Sequence, residues 1–342
     1  MEELPRARER SIWTHGFGAA TVLLTLTLLM ALAGMMYETI ARRYARLNIA
    51  APGELIDLGG RRIHLDCRGR GSPTVVLESG HDVLGSLSWT RVHGPLARIT
   101  RVCTYDRAGY LWSDEQHARR DAVGIAVELR AVLNRANEKG PYVVVAHGQG
   151  GLYALAFTAL MKNSVRGLVL VDAVHPDLEK EFAKALGSGE ELPFWLRARN
   201  RIRRALGPFW ATVGVTRLEG VELPPDVDEA SARIAHAFTP SSREAIWSEE
   251  SGFTATLREV GAVRNLGDRY LTVLTALPPP SASAPDHDNL ARETWLGLQR
   301  DMTSWSTRSH QELVLGARHH IQLSKPAAVI DAVEAIVIAV GE

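Results

Sequence analysis

Polar and apolar positions alternate with two different periods along this chain, and one stretch follows neither. From Gly16 to Met36 the run GFGAATVLLTLTLLMALAGMM carries no charge. As a helix rising 1.5 Å per residue it would cover about 30 Å, one bilayer hydrocarbon thickness. Trp13 and Tyr37 bracket the run, and Arg42, Arg43 and Arg46 follow it, an arrangement suited to the two faces of a membrane. The run exceeds the apolar core of a signal peptide, and no A-x-A site directly follows. A retained anchor at 16–37, behind a tail at 1–15, is therefore expected. Arg6, Arg8 and Arg10 balance the three arginines on the other side, so charge leaves the orientation open.

Beyond a juxtamembrane helix end and linker at 38–52, closed by Pro52-Gly53, the pattern changes. Short apolar runs bounded by turns predict strands at Leu55–Leu58, Arg62–Cys67, Thr74–Glu78 and Arg101–Tyr105. Helical patterns then alternate with strands: Asp121–Asn137 before Tyr142–Ala146, and Leu152–Met161 before Gly167–Asp172. This alternation predicts an α/β domain over 53–342, with a mostly parallel central sheet flanked by helices. From about Pro176 to Gly261 the chain turns rich in Arg, Glu and Pro, with Trp195, Phe209, Trp210 and Trp247 scattered through helical patterns. That stretch reads as an inserted helical cap. Two more strands, Tyr270–Thr275 and Glu312–Leu315, follow, the first trailed by the loop-like LPPPSASAPDHD, and Pro326–Val340 closes the chain as an amphipathic helix.

Composition narrows the functional classes. The 342 residues are 46% hydrophobic and 23% charged, enough apolar material for one large core. Lys plus Arg equals Asp plus Glu at 39 each, so no global field favours nucleic acid, and nucleic-acid binding is set aside. Cys67 and Cys103 lack CxxC spacing and read as two small buried apolar residues. There is no HExxH, Walker loop or dinucleotide glycine fingerprint, so the sequence implies neither a metal nor a cofactor.

The segment GPYVVVAHGQGGLYALAFTAL reads strand, sharp turn, helix, with the turn at Ala146-His147-Gly148-Gln149-Gly150. The spacing is that of a nucleophile elbow, where small residues let strand and helix approach around one exposed position. That position is Gly148. A serine hydrolase needs a hydroxyl there, activated by a histidine that a carboxylate orients. Glycine brings no side-chain atom.

Five segments in order resemble the membrane-anchored branch of the α/β-hydrolase family, over nearly the whole chain: GRRIHLDCRGRGSPTVVLESG, TRVCTYDRAGYLWSD, the elbow, GLVLVDAVHPD and GARHHIQLSKP. The family's elbow usually reads GHSxGG, so Gly148 is the departure that matters most. The resemblance places the catalytic histidine on His319, with His320 where an aromatic is usual and Arg318 where glycine is usual. The acid falls on Asp172, with Asp286 and Asp288 as alternatives and a turn-capping carboxylate as the plain reading of Asp172. The oxyanion donors fall on the backbone N–H groups of Gln149 and His81. The side chains of His81 and Asp82 then either line a pocket or play no part. His147 reads as a packed, hydrogen-bonded residue, and Asp106-Arg107 as a structural ion pair. In the family's sheet order the strands carrying Cys67 and Cys103 are neighbours, which adds a bridge as the alternative to two thiols and, with it, an extracytoplasmic domain.

Three functional readings share this frame. One is a catalytically impaired pseudo-hydrolase that binds a small apolar or ester-like ligand, or a partner, between core and cap. Another is an esterase-like hydrolase that uses water activated by His319, or a displaced nucleophile such as Ser79. The last is an active serine hydrolase altered only at Gly148. The membrane is the partner expected through the N-terminal helix.

Overall fold

A computed structural model of the chain describes residues 6–116, 118, 120–185, 202, 206–278 and 286–341. Trp195, most of the loop-like segment after Leu277, and the side chains of Trp13, Asp286 and Asp288 lie outside what is described. Eight strands form one sheet: β1 (Glu54–Asp57), β2 (Arg62–Arg68), β3 (Thr74–Glu78), β4 (Val102–Tyr105), β5 (Tyr142–His147), β6 (Val165–Val171), β7 (Gly267–Leu277) and β8 (Ser306–Leu315). Their order is β1-β2-β4-β3-β5-β6-β7-β8. The β1–β2 and β2–β4 pairs are antiparallel, and every later pair is parallel.

The strands that read as unbroken apolar runs, TVVLE of β3 and YVVVAH of β5, are buried at every residue. That is the expected state of parallel strands covered on both faces. One face packs on α3 (Ala122–Arg135) and α4 (Gly150–Met161), through Ile125, Leu129, Leu152 and Phe157 against Val144 and Leu168. The other packs on α2 (Thr90–Leu96) and the last helix, α11 (Pro326–Gly341), through Val92, Leu96, Val329 and Val333 against Val75 and Val143. α3 begins where Asp121 Oδ1 accepts the Gly124 N–H at 2.9 Å, satisfying one of the free donors of a helix start.

Cys67 and Cys103 stand directly opposite each other on β2 and β4 and form a disulfide, with their Cα atoms 4.0 Å apart. The reading as two free thiols is thereby corrected, because directly opposed antiparallel residues bring their Cβ atoms within bridging reach.

Between β6 and β7 lie α5 (Leu178–Ala185), α6 (described over 206–212), α7 (Val215–Glu219) and the long α8 (Glu229–Val260). Asp228 starts α8 by accepting the Ser231 N–H at 2.9 Å. After β7 come α9 (Asp286–Thr303), β8 and the short α10 (Ile321–Ser324).

The first helix, α1, runs from Arg6 to Asn48, so the helix end expected within 38–52 reaches Asn48. Its stretch Ala20–Asn48 is apolar enough to cross a membrane, with a mean hydropathy of 1.9. The last turns dock on the cap. Buried Glu38 accepts from Arg217 at 2.8 Å, and Arg42 donates to Glu244 at 2.9 Å. Ala45 joins a small apolar cluster with Leu84, Trp112, Phe238 and Leu323.

Candidate active site

The carboxyl ends of β3, β5, β6 and β7 converge, and the loops leaving them and β8 carry the polar residues, as is usual for ligand sites in parallel sheets. At the end of β5 the backbone turns sharply through Gly148 at φ +53°, a left-handed value that L side chains rarely adopt. The Gly148 carbonyl accepts from Gly151 N at 3.1 Å and Val174 N at 2.8 Å, tying the turn to the end of β6. Its neighbours are glycines for packing. A Cβ on Gly150 would lie 2.4 Å from the Ser79 carbonyl oxygen, and one on Gly151 2.7 Å from Ala173 Cβ.

Gly148 differs from both. A Cβ there would meet nothing closer than His319 Nε2 at 3.4 Å, an ordinary contact. The space a nucleophile side chain would fill is therefore open and faces the histidine. His319 Nδ1–H donates to Asp172 Oδ2 at 2.6 Å. With its proton on Nδ1, a neutral imidazole presents the Nε2 lone pair toward Gly148. The other Asp172 oxygen accepts from Ala276 N at 3.1 Å and Trp295 Nε1 at 3.0 Å. Asp172 itself has φ +44°, so backbone strain accompanies its placement. Sequence reasoning did not find Trp295, because the helix that presents it follows a loop-like stretch and carries no motif.

The adjacent histidine turns elsewhere. His320 Nε2–H donates to Asp82 Oδ2 at 3.1 Å. Burial alone would raise Asp82, but the hydrogen bond and charge of His320, with the Leu84 N–H, hold it at about 2. His147 lies between the two, its ring centroid 4.6 Å from each. Its Nε2–H donates to the His319 carbonyl at 3.2 Å, while Nδ1 has no partner among the described residues and sits where a Cβ on Gly80 would be 2.6 Å away. Burial first, and then the nearby His319 and His320, keep the His147 imidazole well below its ordinary range and so neutral. One ligand atom each from Asp82, His147 and His320 lies within 4.8 Å of the others. Both histidine Nε2 atoms already have acceptors, however, and the free Nδ1 of His147 faces Gly80.

The backbone N–H groups of Gln149 and His81 have no acceptor among the described residues. The His81 peptide is fixed from behind. Arg107 donates to the Ser79 carbonyl and the Gly80 carbonyl, both at 2.8 Å. Since a trans peptide points its C=O and N–H in opposite directions, this hold on the Gly80 oxygen aims the His81 N–H away from Arg107.

Arg107 also corrects the expected Asp106–Arg107 pair. Asp106 instead accepts from His64 Nδ1 and Ser86 N, each at 2.7 Å. Arg107 is bonded to Glu78 at 2.7 Å and to Glu249 of α8 at 2.8 and 3.0 Å, and Arg120 reaches Glu249 at 3.0 Å. Burial would raise Glu249, but Arg107 and Arg120 outweigh it and hold the carboxyl at about 2. Glu78 goes the other way. Burial pushes it to about 7, against the pull of the Arg107 that it shares with Glu249. Ser79 is 1% exposed and its Oγ accepts from Arg107 at 3.1 Å, so it is tied into this network and not free for nucleophilic work.

A concavity of about 500 Å³, lined by His175, Asp177, Arg264 and Asp301 among others, includes none of Gly148, His319 and Asp172. There His175 is bonded to Asp301 at 3.1 Å and Arg264 to Asp177 at 2.7 Å.

A model of the α/β-hydrolase fold matches residues 73–216. An uncharacterised protein of Schizosaccharomyces pombe is 36% identical over 155 residues, which are 36% of this chain and 29% of that protein. An uncharacterised vacuolar membrane protein of Saccharomyces cerevisiae is 32% identical over 146 residues, 42% of this chain and 22% of that one. The chain thus spans less than a third of those two relatives' length. Among solved structures, Est816, described as an N-acyl homoserine lactone degrading enzyme, aligns over 83% of this chain and all of its own at a TM-score of 0.57 and 15% identity. The epoxide hydrolase CorEH aligns over 84% of this chain and 98% of its own at 0.55 and 18%. Lactone and epoxide chemistry on one scaffold, at such identities, speak for the fold and leave the substrate apart. By sheet order, by the family match and by these neighbours, the chain is built on the α/β-hydrolase fold.

Proposed function

We propose that this protein is a pseudo-hydrolase, held at a membrane by α1, that binds a small apolar or ester-like ligand between core and cap without covalent turnover. One observation carries the reading: at Gly148 the elbow geometry is kept and the facing His319–Asp172 pair is assembled, but the nucleophile side chain is missing. His319 is the base of the frame, Asp172 its orienting acid, and the N–H groups of Gln149 and His81 its oxyanion donors. A ligand carbonyl fits this frame because its oxygen meets two unpaired donors. The Cys67–Cys103 bridge favours an oxidising, extracytoplasmic setting for the domain.

A second reading follows from the same assembled pair. His319 Nε2 faces open space and could take a proton from an attacking water, giving slow ester hydrolysis. A frame lacking one triad member still accelerates hydrolysis by about 10³–10⁴-fold over water in serine hydrolases. Ser79 as a displaced nucleophile is unsupported, given its burial and its bond to Arg107.

The test is hydrolysis of a short-chain nitrophenyl ester by the native chain, by His319→Ala, by Gly148→Ser, and by Gly148→Ser with His319→Ala. The pseudo-hydrolase reading expects a silent native protein and turnover in Gly148→Ser that the added His319→Ala abolishes. Removing the nucleophile of a serine hydrolase costs about 10⁶-fold, so the gain is expected to be large. Slow native turnover that His319→Ala removes would favour water activation. Fast native turnover unchanged by Gly148→Ser would refute the assignment of the elbow.

A further inference from the structure

α1 is not a free tether. Its partly or fully buried positions Ala31, Gly34, Glu38, Ala41, Arg42 and Ala45 fall at helical spacing on one face. The seam thus begins inside the apolar run, before its charged flank. At Gly34 the helix approaches the cap so closely that a Cβ would lie 2.3 Å from the Val213 carbonyl oxygen. Gly34 is three residues inside the Tyr37 boundary, about 4–5 Å along a helix axis. If α1 crosses a bilayer, the cap around Val213 sits at or below the headgroup level.

The surface there suits such a place. Beside Val213, α6 turns Gly207 onto Trp247 and buries Ala211, while Leu206, Phe209 and Trp210 are 40%, 47% and 37% exposed. Leu218 on α7 is 81% exposed, next to the Arg217 that bonds Glu38 of α1. On α1 itself Met36, Ile40, Tyr44 and Leu47 continue an exposed apolar stripe past the end of the uncharged run. Large exposed apolar side chains are costly in water at about 25 cal/mol per Å². A Trp and a Phe at the level of a helix end match a bilayer interface, where aromatic rings gather.

We propose that α6 and α7 are a second membrane contact: the cap rests in the interfacial layer of the leaflet entered by α1, with Phe209 and Trp210 among the acyl chains. The occupant of this face is lipid. The contact places the crevice between core and cap at the bilayer surface, since Ala45 of α1 shares an apolar cluster with Leu84 and Leu323, which flank the site loops. The inference rests on the reading of α1 as an anchor, and its test separates the two.

The full chain, reconstituted in phosphatidylcholine vesicles, would carry an environment-sensitive fluorophore on one introduced cysteine, the native pair being bridged. Three variants are compared: Phe209→Cys on α6, Leu29→Cys in the span, and Leu315→Cys at the far edge of the sheet. Lipids bearing nitroxides at shallow and mid-chain positions of the acyl chains are the quenchers. The expected result is loss of most emission at Phe209→Cys, as at Leu29→Cys, with Leu315→Cys keeping its emission. Quenching at Leu29→Cys with water-like, unquenched emission at Phe209→Cys would overturn the proposal and leave the anchor standing. No quenching at either position would overturn both. Trp210→Cys reads the same face should Phe209→Cys fail to fold.

Discussion

Gly148 and Arg107 both abut Gly80, and their surroundings are built to different rules. Around Arg107, the guanidinium nitrogens have acceptors in Glu78, Ser79, Gly80 and Glu249, and the side chain is 0% exposed. Around Gly148, the His319 side chain is 51% exposed, its Nε2 faces open space, and two backbone N–H groups have no acceptor among the described residues. The first region is saturated and the second is not. Buried charge is tolerable only when fully paired, so saturation around Arg107 is what a structural element requires. Unpaired, exposed groups aimed at one point are what a binding or catalytic site requires. On the proposed reading, the hydroxyl absent at Gly148 removes chemistry while the scaffold around it is kept.

The largest effect is expected on the saturated side. Arg107→Met would strand Glu78 and Glu249 without their shared partner, and a cost of about 3–5 kcal/mol is expected from denaturant unfolding. A loss under about 1 kcal/mol would mean that the network is ornamental. The cap would also loosen from the core, since Glu249 belongs to α8, so protease cleavage between β6 and β7 should quicken in the same variant.

The bridge at the other edge of the sheet comes next. Replacing Cys67 and Cys103 by Ser removes a crosslink between residues 36 apart, and about 2–4 kcal/mol of stability should go with it. A thiol assay on the denatured native protein should find no free thiol until reductant is added. Free thiols without reductant would contradict the bridge.

Much of this arrangement was legible in the sequence, and the limits have physical causes. Strands β3, β5 and β6 were readable because burial on both faces demands unbroken apolar runs. β8 was read only at its apolar end, Glu312–Leu315, yet it starts at Ser306. It is an edge strand in which, after buried Ser306, the residues from Thr307 to Glu312 are exposed or half-buried and polar, so no apolar pattern marks them. The elbow was legible because close approach of strand and helix leaves only glycine at positions such as Gly150. The partners of Arg107 were not. Glu78 precedes it by 29 residues and Glu249 follows by 142, and a charge carries no mark of which distant charge it will meet. The docking of residues 38–48 was hidden for the same reason, because its partners Arg217 and Glu244 lie in the cap.

The smallest expected effect is a pH dependence that sharpens the contrast inside the network. Glu78 is raised by burial to about 7 in the folded chain. A folded value above the unfolded one means that the native state binds the proton more tightly, so this contribution is present below the unfolded value and is lost as pH rises toward 7. Glu249, held at about 2, behaves oppositely: its contribution is present above the unfolded carboxylate value and fades as pH falls toward 2. Melting temperatures measured across neutral and mildly acidic pH should decline less on the alkaline side in Glu78→Gln than in the native chain. Identical profiles would remove Glu78 as the titrating group.

The central claim, that an assembled hydrolase frame lacks only its nucleophile, meets its most direct test in covalent labelling. The native chain, Gly148→Ser, and Gly148→Ser with His319→Ala would each be treated with a fluorophosphonate and read by intact mass and peptide mapping. A side chain at Gly148 should cost about 1–3 kcal/mol of backbone strain, so circular dichroism would first establish that each variant is folded. One adduct is expected, on the introduced side chain of Gly148→Ser, with none on the native chain and none when His319 is also removed. An adduct on the native chain, or a folded Gly148→Ser that does not react, would contradict it.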